Sequence, residues 1–352
     1  MVKRIVIMAG GTGGHVFPAL AVAQLLIEKG WQVSWLGTQK GLESRVIPEC
    51  GIAIDYLSVA GIRGKSVLSK ITAVFGLCKA CFQAAIFLRQ RKPNVVLGMG
   101  GFVAGPGGLM AKLLGIPLVI HEQNRVVGTT NRLLAHIANQ VLEAFPLSFK
   151  KSTKAICTGN PLRKAFLEQL DEEKSLGQGI KILVIGGSQG AQILNEVVPE
   201  ALNLLDFPSV QIRHQTGMAM QAQVAKRYQE LGINAHIPVF INDMVVAYQW
   251  ADILICRAGA MTVSEVAAVG IPAIFVPLPN AIDDHQTANA NYLTDANAGI
   301  LLRQKDLNAE NLAKQITTLL KHTKTIGLAA KQLARLDATE VVAHYCVAEA
   351  KL

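Results

Sequence analysis

Three glycine-rich stretches carry the first chemical signal in this sequence, at 10–14 (GGTGG), 98–108 and 186–190 (GGSQG). A glycine turn that opens a helix leaves main-chain N–H groups pointing outward at the helix's positive end, a setting suited to phosphate. Each stretch taken alone reads more readily as a plain tight turn than as a phosphate contact. His15 directly follows the first one. An imidazole beside a helix N-terminus is held neutral, which suits a general base; the simpler role is a hydrogen bond that caps the turn. The run Arg257-Ala-Gly-Ala-Met-Thr-Val-Ser-Glu265 supplies small residues and a second helix start, another anion cradle. Thr262 and Glu265 have capping-box spacing, so Glu265 bonds either its own helix backbone or, as a double acceptor, a ribose diol.

Several chemistries are disfavoured. The dinucleotide pattern G-x-G-x-x-G would need glycine at Val16, no Gly-Lys-Ser/Thr follows any turn, and Leu36-Gly-Thr-Gln39 stands where a ribose-binding acid is expected. Asp283, Asp284 and His285 share a polar loop, yet the chain has no D-x-D pair. A metal-chelated diphosphate is therefore unsupported, and helix dipoles and N–H groups would neutralise a leaving diphosphate instead. Neither metal nor cofactor is expected. Cys78 and Cys81 form a C-x-x-C inside an apolar helical pattern and read as two packed thiols.

The elements that position these residues alternate. Residues 4–9 read as a buried parallel strand, and 16–29 has helical spacing at Val16, Leu20, Ala23 and Ile27. Strand 181–185, turn 186–190 and a helix from Ala191 repeat the design half a chain later. Further strands are expected at 32–36, 95–97, 118–121, 210–214, 253–255 and 273–276. The class is α/β, with doubly wound parallel sheets in tandem and right-handed crossovers. The chain is expected to change domain near Thr158-Gly-Asn-Pro161, giving 1–160 and 161–335, with a helix at about 336–352 returning to the first domain.

Composition agrees with two cored domains: 352 residues, 51% hydrophobic and 17% charged, which excludes disorder. No run of 18 apolar residues exists, since 74–88 is broken by Lys79 and Gln83, and the start of the chain does not read as a secretory signal. Six cysteines are too sparse for a disulfide framework. The net charge of +9 is lopsided: residues 1–160 hold 18 basic against 6 acidic side chains, and the remainder 16 against 19. The first half should therefore meet something anionic. Between Gly61 and Lys92 stand Arg63, Lys65, Lys70, Lys79, Arg89, Arg91 and Lys92 with no acid among them. Val67, Leu68, Ile71, Val74, Phe75, Cys78 and Phe82 interleave at helical spacing. That stripe reads first as the inward face of a crossover helix. The basic loop at 63–70 reads as a contact for anionic lipid, each cation contributing about 1 kcal/mol. No nucleic-acid signature accompanies it, and no nucleic-acid partner is expected.

Together the motifs resemble one family, the MurG glycosyltransferases of GT-B fold. The matching segments are GGTGGHVFP at 10–18, GMGGFVAGPG at 98–107, HEQN at 121–124 and GNPLR at 159–163. They continue with GGSQGA at 186–191, RAGAMTVSE at 257–265 and DHQTAN at 284–289, in family order across nearly the whole chain. The resemblance implies two Rossmann-like domains facing across a cleft. It implies inverting transfer of N-acetylglucosamine (GlcNAc) from UDP-GlcNAc to the C4 hydroxyl of the N-acetylmuramic acid (MurNAc) sugar in lipid I, the undecaprenyl-linked acceptor, giving lipid II and UDP. The second domain would hold the donor: Ala260, Met261, Thr262, Val263 and Ser264 at the diphosphate, Glu265 at the ribose, the Ile241 backbone at uracil, and Gln286 at the sugar. Ser188 and Arg163 would lie near the phosphates, Asn124 near the donor sugar, and Thr12, Gly13 and Gly14 along the cleft. His15 is the implied base, assisted by Glu122, while Gly101, Phe102 and His121 would meet the acceptor. Many relatives carry Tyr and Ser where this chain has Phe102 and Ala104, and a small residue where it has Arg125. The implied setting is peripheral, on the cytoplasmic face of a bacterial inner membrane, with Arg63, Lys65, Val67, Leu68, Lys70, Ile71 and Phe75 at the anionic leaflet and cell-wall synthesis proteins as partners. The implied role is peptidoglycan synthesis, and through it cell shape and division. A UDP-sugar epimerase of the same architecture and a non-catalytic binding module are the competing readings.

Overall fold

The computed structural model describes residues 2–59, 67–168, 170, 179–187, 190–205, 209–279 and 281–350, without the side chains of 67–74 and 282. The expectations for Arg63, Lys65 and Ser188 lie outside the described residues, as do those for the side chains of Val67, Leu68, Lys70 and Ile71. The chain folds into two compact units, one of Met1–Lys164 with Arg335–Leu352 and one of Ala165–Ala334.

The first unit is built on a parallel sheet of β1 (Arg4–Met8), β2 (Gln32–Gly37), β3 (Ala53–Tyr56), β4 (Val95–Gly98), β5 (Leu118–Glu122), β6 (Gln140–Glu143) and β7 (Ile156–Cys157). Its order is β3-β2-β1-β4-β5-β6-β7. The helices are α1 (Gly13–Glu28), α2 (Glu43–Glu49), α3 (Val67–Arg91), α4 (Ala104–Leu113) and α5 (Thr129–Leu134), followed by α6 (Lys164–Glu168) at the boundary. The last helix, α14 (Ala338–Glu349), returns to this unit and packs against α1, β4, β5 and β6. The strands are apolar on both sides because both sheet faces are covered. Ile5, Ile7, Val95 and Leu97 pack with Val16, Leu20 and Leu26 of α1 and Val342 and Cys346 of α14. On the opposite face Val6, Met8, Val96 and Ile120 meet Leu88 of α3, Ala104 and Ala111 of α4 and Leu134 of α5.

The second unit repeats the plan. Its strands are β8 (Ile180–Ile185), β9 (Val210–Gln215), β10 (Ala235–His236), β11 (Ile253–Cys256), β12 (Ala273–Phe275) and β13 (Ile300–Leu301), in the order β10-β9-β8-β11-β12-β13 and parallel throughout. Its helices are α7 (Gln192–Asn203), α8 (Gln221–Glu230), α9 (Met244–Trp250), α10 (Ala260–Val269), α11 (His285–Thr294), α12 (Ala309–Lys321) and α13 (Thr323–Gln332). Every strand expected from the sequence forms. The five it missed are short: β3, β7, β10 and β13 are sheet edges, and β6 carries only Val141 and Leu142 between two polar ends.

Each sheet reverses direction of growth at one place, between β1 and β4 in the first and between β8 and β11 in the second. Open α/β sheets bind ligands outside the carboxyl ends of strands at such points. Three of the four loops that leave these strands are the glycine stretches at 10–14, 98–108 and 186–190; the fourth is 257–259, which leads into α10.

A buried carboxylate fixes the first of these loops. Glu43 of α2 accepts hydrogen bonds from the Gly11 N–H (2.9 Å), the Thr38 N–H (2.8 Å) and the Thr38 hydroxyl (2.8 Å). Its pocket is closed by glycines, and a Cβ on Gly10 or Gly37 would approach it to 2.6 or 2.7 Å. Glu43→Gln replaces one acceptor with a donor that faces other donors. Urea unfolding should show a loss of about 1–3 kcal/mol; an unchanged midpoint would show that Glu43 does not hold the turn.

In the second unit His214 of β9 is fully buried, with Nδ1 3.0 Å from the Tyr228 hydroxyl. Burial pushes its pKa from 6.5 down to about 3. Between those values the unfolded chain binds a proton that the native chain refuses, so stability falls as pH drops through this window. The urea midpoint of wild type should decline more steeply between pH 6.5 and about pH 4 than that of His214→Gln. Parallel slopes would contradict the assignment.

Candidate active site

Helix α1 begins at Gly13 with extended Thr12 as its cap residue, and Thr12 O receives the N–H groups of His15 (3.1 Å) and Val16 (3.2 Å). The Gly13 and Gly14 N–H groups belong to the first turn, which has no acceptor within the helix. The loop after β4 packs directly on this turn. A Cβ on Gly101 (φ +80°) would lie 2.6 Å from the Gly10 carbonyl oxygen, and one on Gly100 (φ +92°) 3.0 Å from the His15 ring. Only glycines allow the two turns and the imidazole to come this close. Phe102, next in the chain, is exposed. The His15 ring is anchored through Nδ1, 2.8 Å from Gln123 Oε1.

The HEQN segment at the end of β5 behaves differently from the expectation. His121 is fully buried, with Nε2 2.9 Å from the Gly159 carbonyl and Nδ1 3.1 Å from the Gln123 amide. Both ring nitrogens are engaged within the protein, so direct contact with an acceptor is not open to it. Burial lowers its pKa to about 4. Glu122 is also buried and takes four hydrogen bonds. Oε1 receives the Asn124 N–H (3.0 Å) and side-chain amide (3.2 Å), and Oε2 receives the Gly128 N–H (3.1 Å) and the Asn131 amide (3.0 Å). A carboxylate so saturated organises the 123–128 loop and aims Asn124; it is not placed to assist a base at His15. Arg163 lies in the first unit with its guanidinium over the Phe17 ring of α1, 5.4 Å from the centroid.

In the second unit α10 starts at Ala260 behind Gly259, and the first bond within the helix runs from the Val263 N–H to Gly259 O (3.0 Å). The N–H groups of Ala260, Met261 and Thr262 therefore form its open end. The Val263 amide is spoken for and its side chain is core. The Ser264 hydroxyl donates back to Ala260 O (3.0 Å). The capping-box alternative fails, because Thr262 lies inside the helix rather than at its cap. Glu265 instead receives the hydroxyl of buried Tyr248 (3.0 Å), which packs edge-on against Phe166.

The loop into α10 is held from three sides. The Gln286 amide oxygen receives the N–H groups of Ala258 (3.3 Å) and Leu278 (3.0 Å), and the Asn289 amide donates to Ala258 O (3.2 Å). Arg257 donates to the carbonyls of Val276 (3.0 Å) and Pro277 (3.2 Å), and burial lowers its pKa. Gln286 thus meets any sugar only through its NH2 group. Ile241 sits half-buried just before α9.

Sequence reasoning passed over Glu43, Gln123, Tyr248 and Asn289. Gln123 and Asn289 stood inside quoted motifs, whereas Glu43 and Tyr248 carry no local signal. The reading of the α3 stripe as an inward face is overturned where side chains are described. Ala80, Ala84 and Leu88 point inward, while Phe75 is 73% and Phe82 69% exposed, together with Cys78, Lys79, Ile86 and Arg89. Small alanines suit the close packing of α3 on α4, which displaces the larger stripe outward. Leu109 and Leu113 of α4 are exposed as well. No helix among the described residues is long and apolar enough to cross a membrane.

Known proteins share this fold and domain pair. The profile of the glycosyltransferase family 28 N-terminal domain matches residues 5–143, and that of its C-terminal domain residues 181–347. A relative from Methylococcus capsulatus, named UDP-N-acetylglucosamine--N-acetylmuramyl-(pentapeptide) pyrophosphoryl-undecaprenol N-acetylglucosamine transferase, is 57% identical over 99% of both chains. A Pseudomonas paraeruginosa protein of the same name is 48% identical over 100% of both. The crystal structure of Acinetobacter baumannii MurG superposes with a TM-score of 0.84 at 41% identity, covering 98% of this chain and 99% of that one. A UDP-GlcNAc 2-epimerase from Neisseria meningitidis shares the fold alone, at 14% identity and a TM-score of 0.68. With both domain profiles and full-length relatives in agreement, the chain belongs to the MurG family of GT-B enzymes within glycosyltransferase family 28.

Proposed function

We propose that the protein transfers GlcNAc from UDP-GlcNAc to the C4 hydroxyl of MurNAc in lipid I, the reaction for which its relatives are named. The hydroxyl oxygen attacks the anomeric carbon of GlcNAc, the bond from that carbon to the β-phosphate oxygen breaks, and the configuration inverts. UDP leaves with the bonding electron pair, and the hydroxyl proton passes to His15. The observation that carries this reading is His15 itself. Its ring lies at the carboxyl end of β1 on the Gly100 backbone and is held through Nδ1, which leaves Nε2 for a substrate proton.

The donor is assigned to the second unit, 165–334. The open N–H groups of Ala260, Met261 and Thr262 and the α10 dipole take the diphosphate charge, the kind of contact whose loss costs about 3–4 kcal/mol in a transition state. Glu265, fixed by Tyr248, takes the ribose diol; the Gln286 amide donates to the sugar, and the Ile241 backbone pairs with uracil. Ser188, Arg163, Thr12, Gly13, Gly14 and Asn124 complete the donor contacts. Gly101 and Phe102 in the first unit serve the acceptor. An epimerase would act on UDP-GlcNAc alone. Incubation with the donor should yield no epimerised sugar, and UDP should appear only with a lipid I analogue. His15→Ala should slow transfer about 10²–10⁴-fold. Epimerised product, or His15→Ala within threefold of wild type, would contradict the reading.

The acceptor's lipid anchor requires a surface at the bilayer. Phe75, Phe82 and Ile86 are exposed on α3 together with Lys79 and Arg89, and Arg63, Lys65 and Lys70 add positive charge to the adjoining sequence. We assign this surface to the anionic cytoplasmic leaflet of the inner membrane, with peripheral attachment. Flotation with vesicles rich in phosphatidylglycerol should recover the protein, less so at high salt, and the double variant Phe75→Ser/Phe82→Ser should float at least about tenfold less. Flotation indifferent to anionic lipid and salt would defeat the electrostatic part.

A further inference from the structure

His15 is the first member of a hydrogen-bonded file that ends at a main-chain carbonyl, and two fixed acceptors give the file a single polarity. The first is the Gly159 carbonyl. A carbonyl only accepts, so the His121 Nε2 lying 2.9 Å away carries the proton, and neutral His121 therefore presents a bare Nδ1. The second is the carbonyl of His121 itself, 3.1 Å from Gln123 Nε2. That contact fixes which end of the Gln123 amide is NH2. One of its hydrogens goes to this carbonyl and the other to His121 Nδ1, also 3.1 Å away. Gln123 Oε1 is then left pointing at His15 Nδ1, 2.8 Å distant. An amide oxygen also only accepts, so His15 Nδ1 carries the proton and Nε2 holds the lone pair. The opposite His15 tautomer would set two lone pairs against each other at this distance.

We propose that Gln123 and His121 are positioning residues that hold His15 in the Nδ1-protonated tautomer, so that its Nε2 accepts the acceptor hydroxyl's proton. This rests on the reading of His15 as base. The groups that orient His15 are an amide, a buried imidazole and main-chain carbonyls, so the file selects a tautomer without using a carboxylate. After proton transfer the His15 Nδ1–H still donates to Gln123, and nothing in the file has to reorganise. The depressed pKa of buried His121 keeps its Nδ1 bare near neutral pH. His121 thereby regains a part in the reaction, acting through Gln123 rather than by contact.

The test is a two-bond 15N–1H correlation spectrum of the full chain labelled at its eight histidines, with His15 identified by its loss in His15→Ala. At a pH where His15 is neutral, wild type should show a protonated Nδ1 and a bare Nε2. In Gln123→Met the oxygen acceptor is gone, and the ring should revert towards the Nε2-protonated form that a free histidine side chain prefers. The kcat should fall about 10–100-fold while the KM for UDP-GlcNAc stays within about threefold. A loss through loop disorder would instead raise KM and broaden the spectrum. An Nε2-protonated His15 in wild type overturns the relay even if Gln123→Met fails to fold, as does a Gln123→Met enzyme with unchanged tautomer and kcat. His15→Ala turnover within threefold of wild type would instead overturn the base role and with it the relay's catalytic purpose.

Discussion

The structure depends on main-chain N–H groups at helix starts that have no acceptor within their own helix, held at the place where each parallel sheet reverses its direction of growth. Such groups are strong donors in a fixed geometry, but a glycine loop does not hold itself in place. Most of the conspicuous polar chemistry of the chain serves to hold these loops. The first unit uses buried carboxylates. Glu43 grips the turn after β1, and Glu122 grips the loop after β5. Its register partner on β6, Glu143, takes the N–H groups of Leu147 and Phe149, both at 2.9 Å. None of these acids has a basic partner among the bonds described; backbone and amide donors saturate them instead.

The second unit solves the same problem with other groups. Around Ala258 the loop into α10 is pinned by two amides, Gln286 and Asn289, and by the Arg257 guanidinium. A carboxylate in that position would repel a diphosphate at the helix start. The acid that is present, Glu265, stands five residues further along α10, about 7–8 Å at 1.5 Å per residue. That offset suits a group that meets a ribose while the helix end meets phosphate.

Much of this was legible in the sequence because it rests on local signals. Continuous apolar runs marked the buried strands, and glycine stretches marked three of the four turns at the switch points. What stayed hidden depends on contacts between residues far apart in the chain. Glu43 reads as one more surface acid until the fold brings Gly10, Gly11 and Thr38 around it. Glu122 and His121 were recognisable as motif residues, yet only the fold shows that both are buried, Glu122 bonded to the 123–128 loop and His121 to Gly159 and Gln123. Capping-box spacing misled at Thr262 because the helix starts two residues earlier, behind a glycine. The α3 stripe misled because periodicity gives a helix an apolar side without saying which side the alanines will take.

The central claim is that the open end of α10 holds the diphosphate through main-chain amides. Backbone amide resonances of the 15N-labelled chain, followed as UDP-GlcNAc is added, test it most directly. The account predicts that the amides of Ala260, Met261 and Thr262 move most and saturate together, while the Val263 amide, already bonded to Gly259, moves less. Saturable binding that leaves those three resonances in place would contradict it.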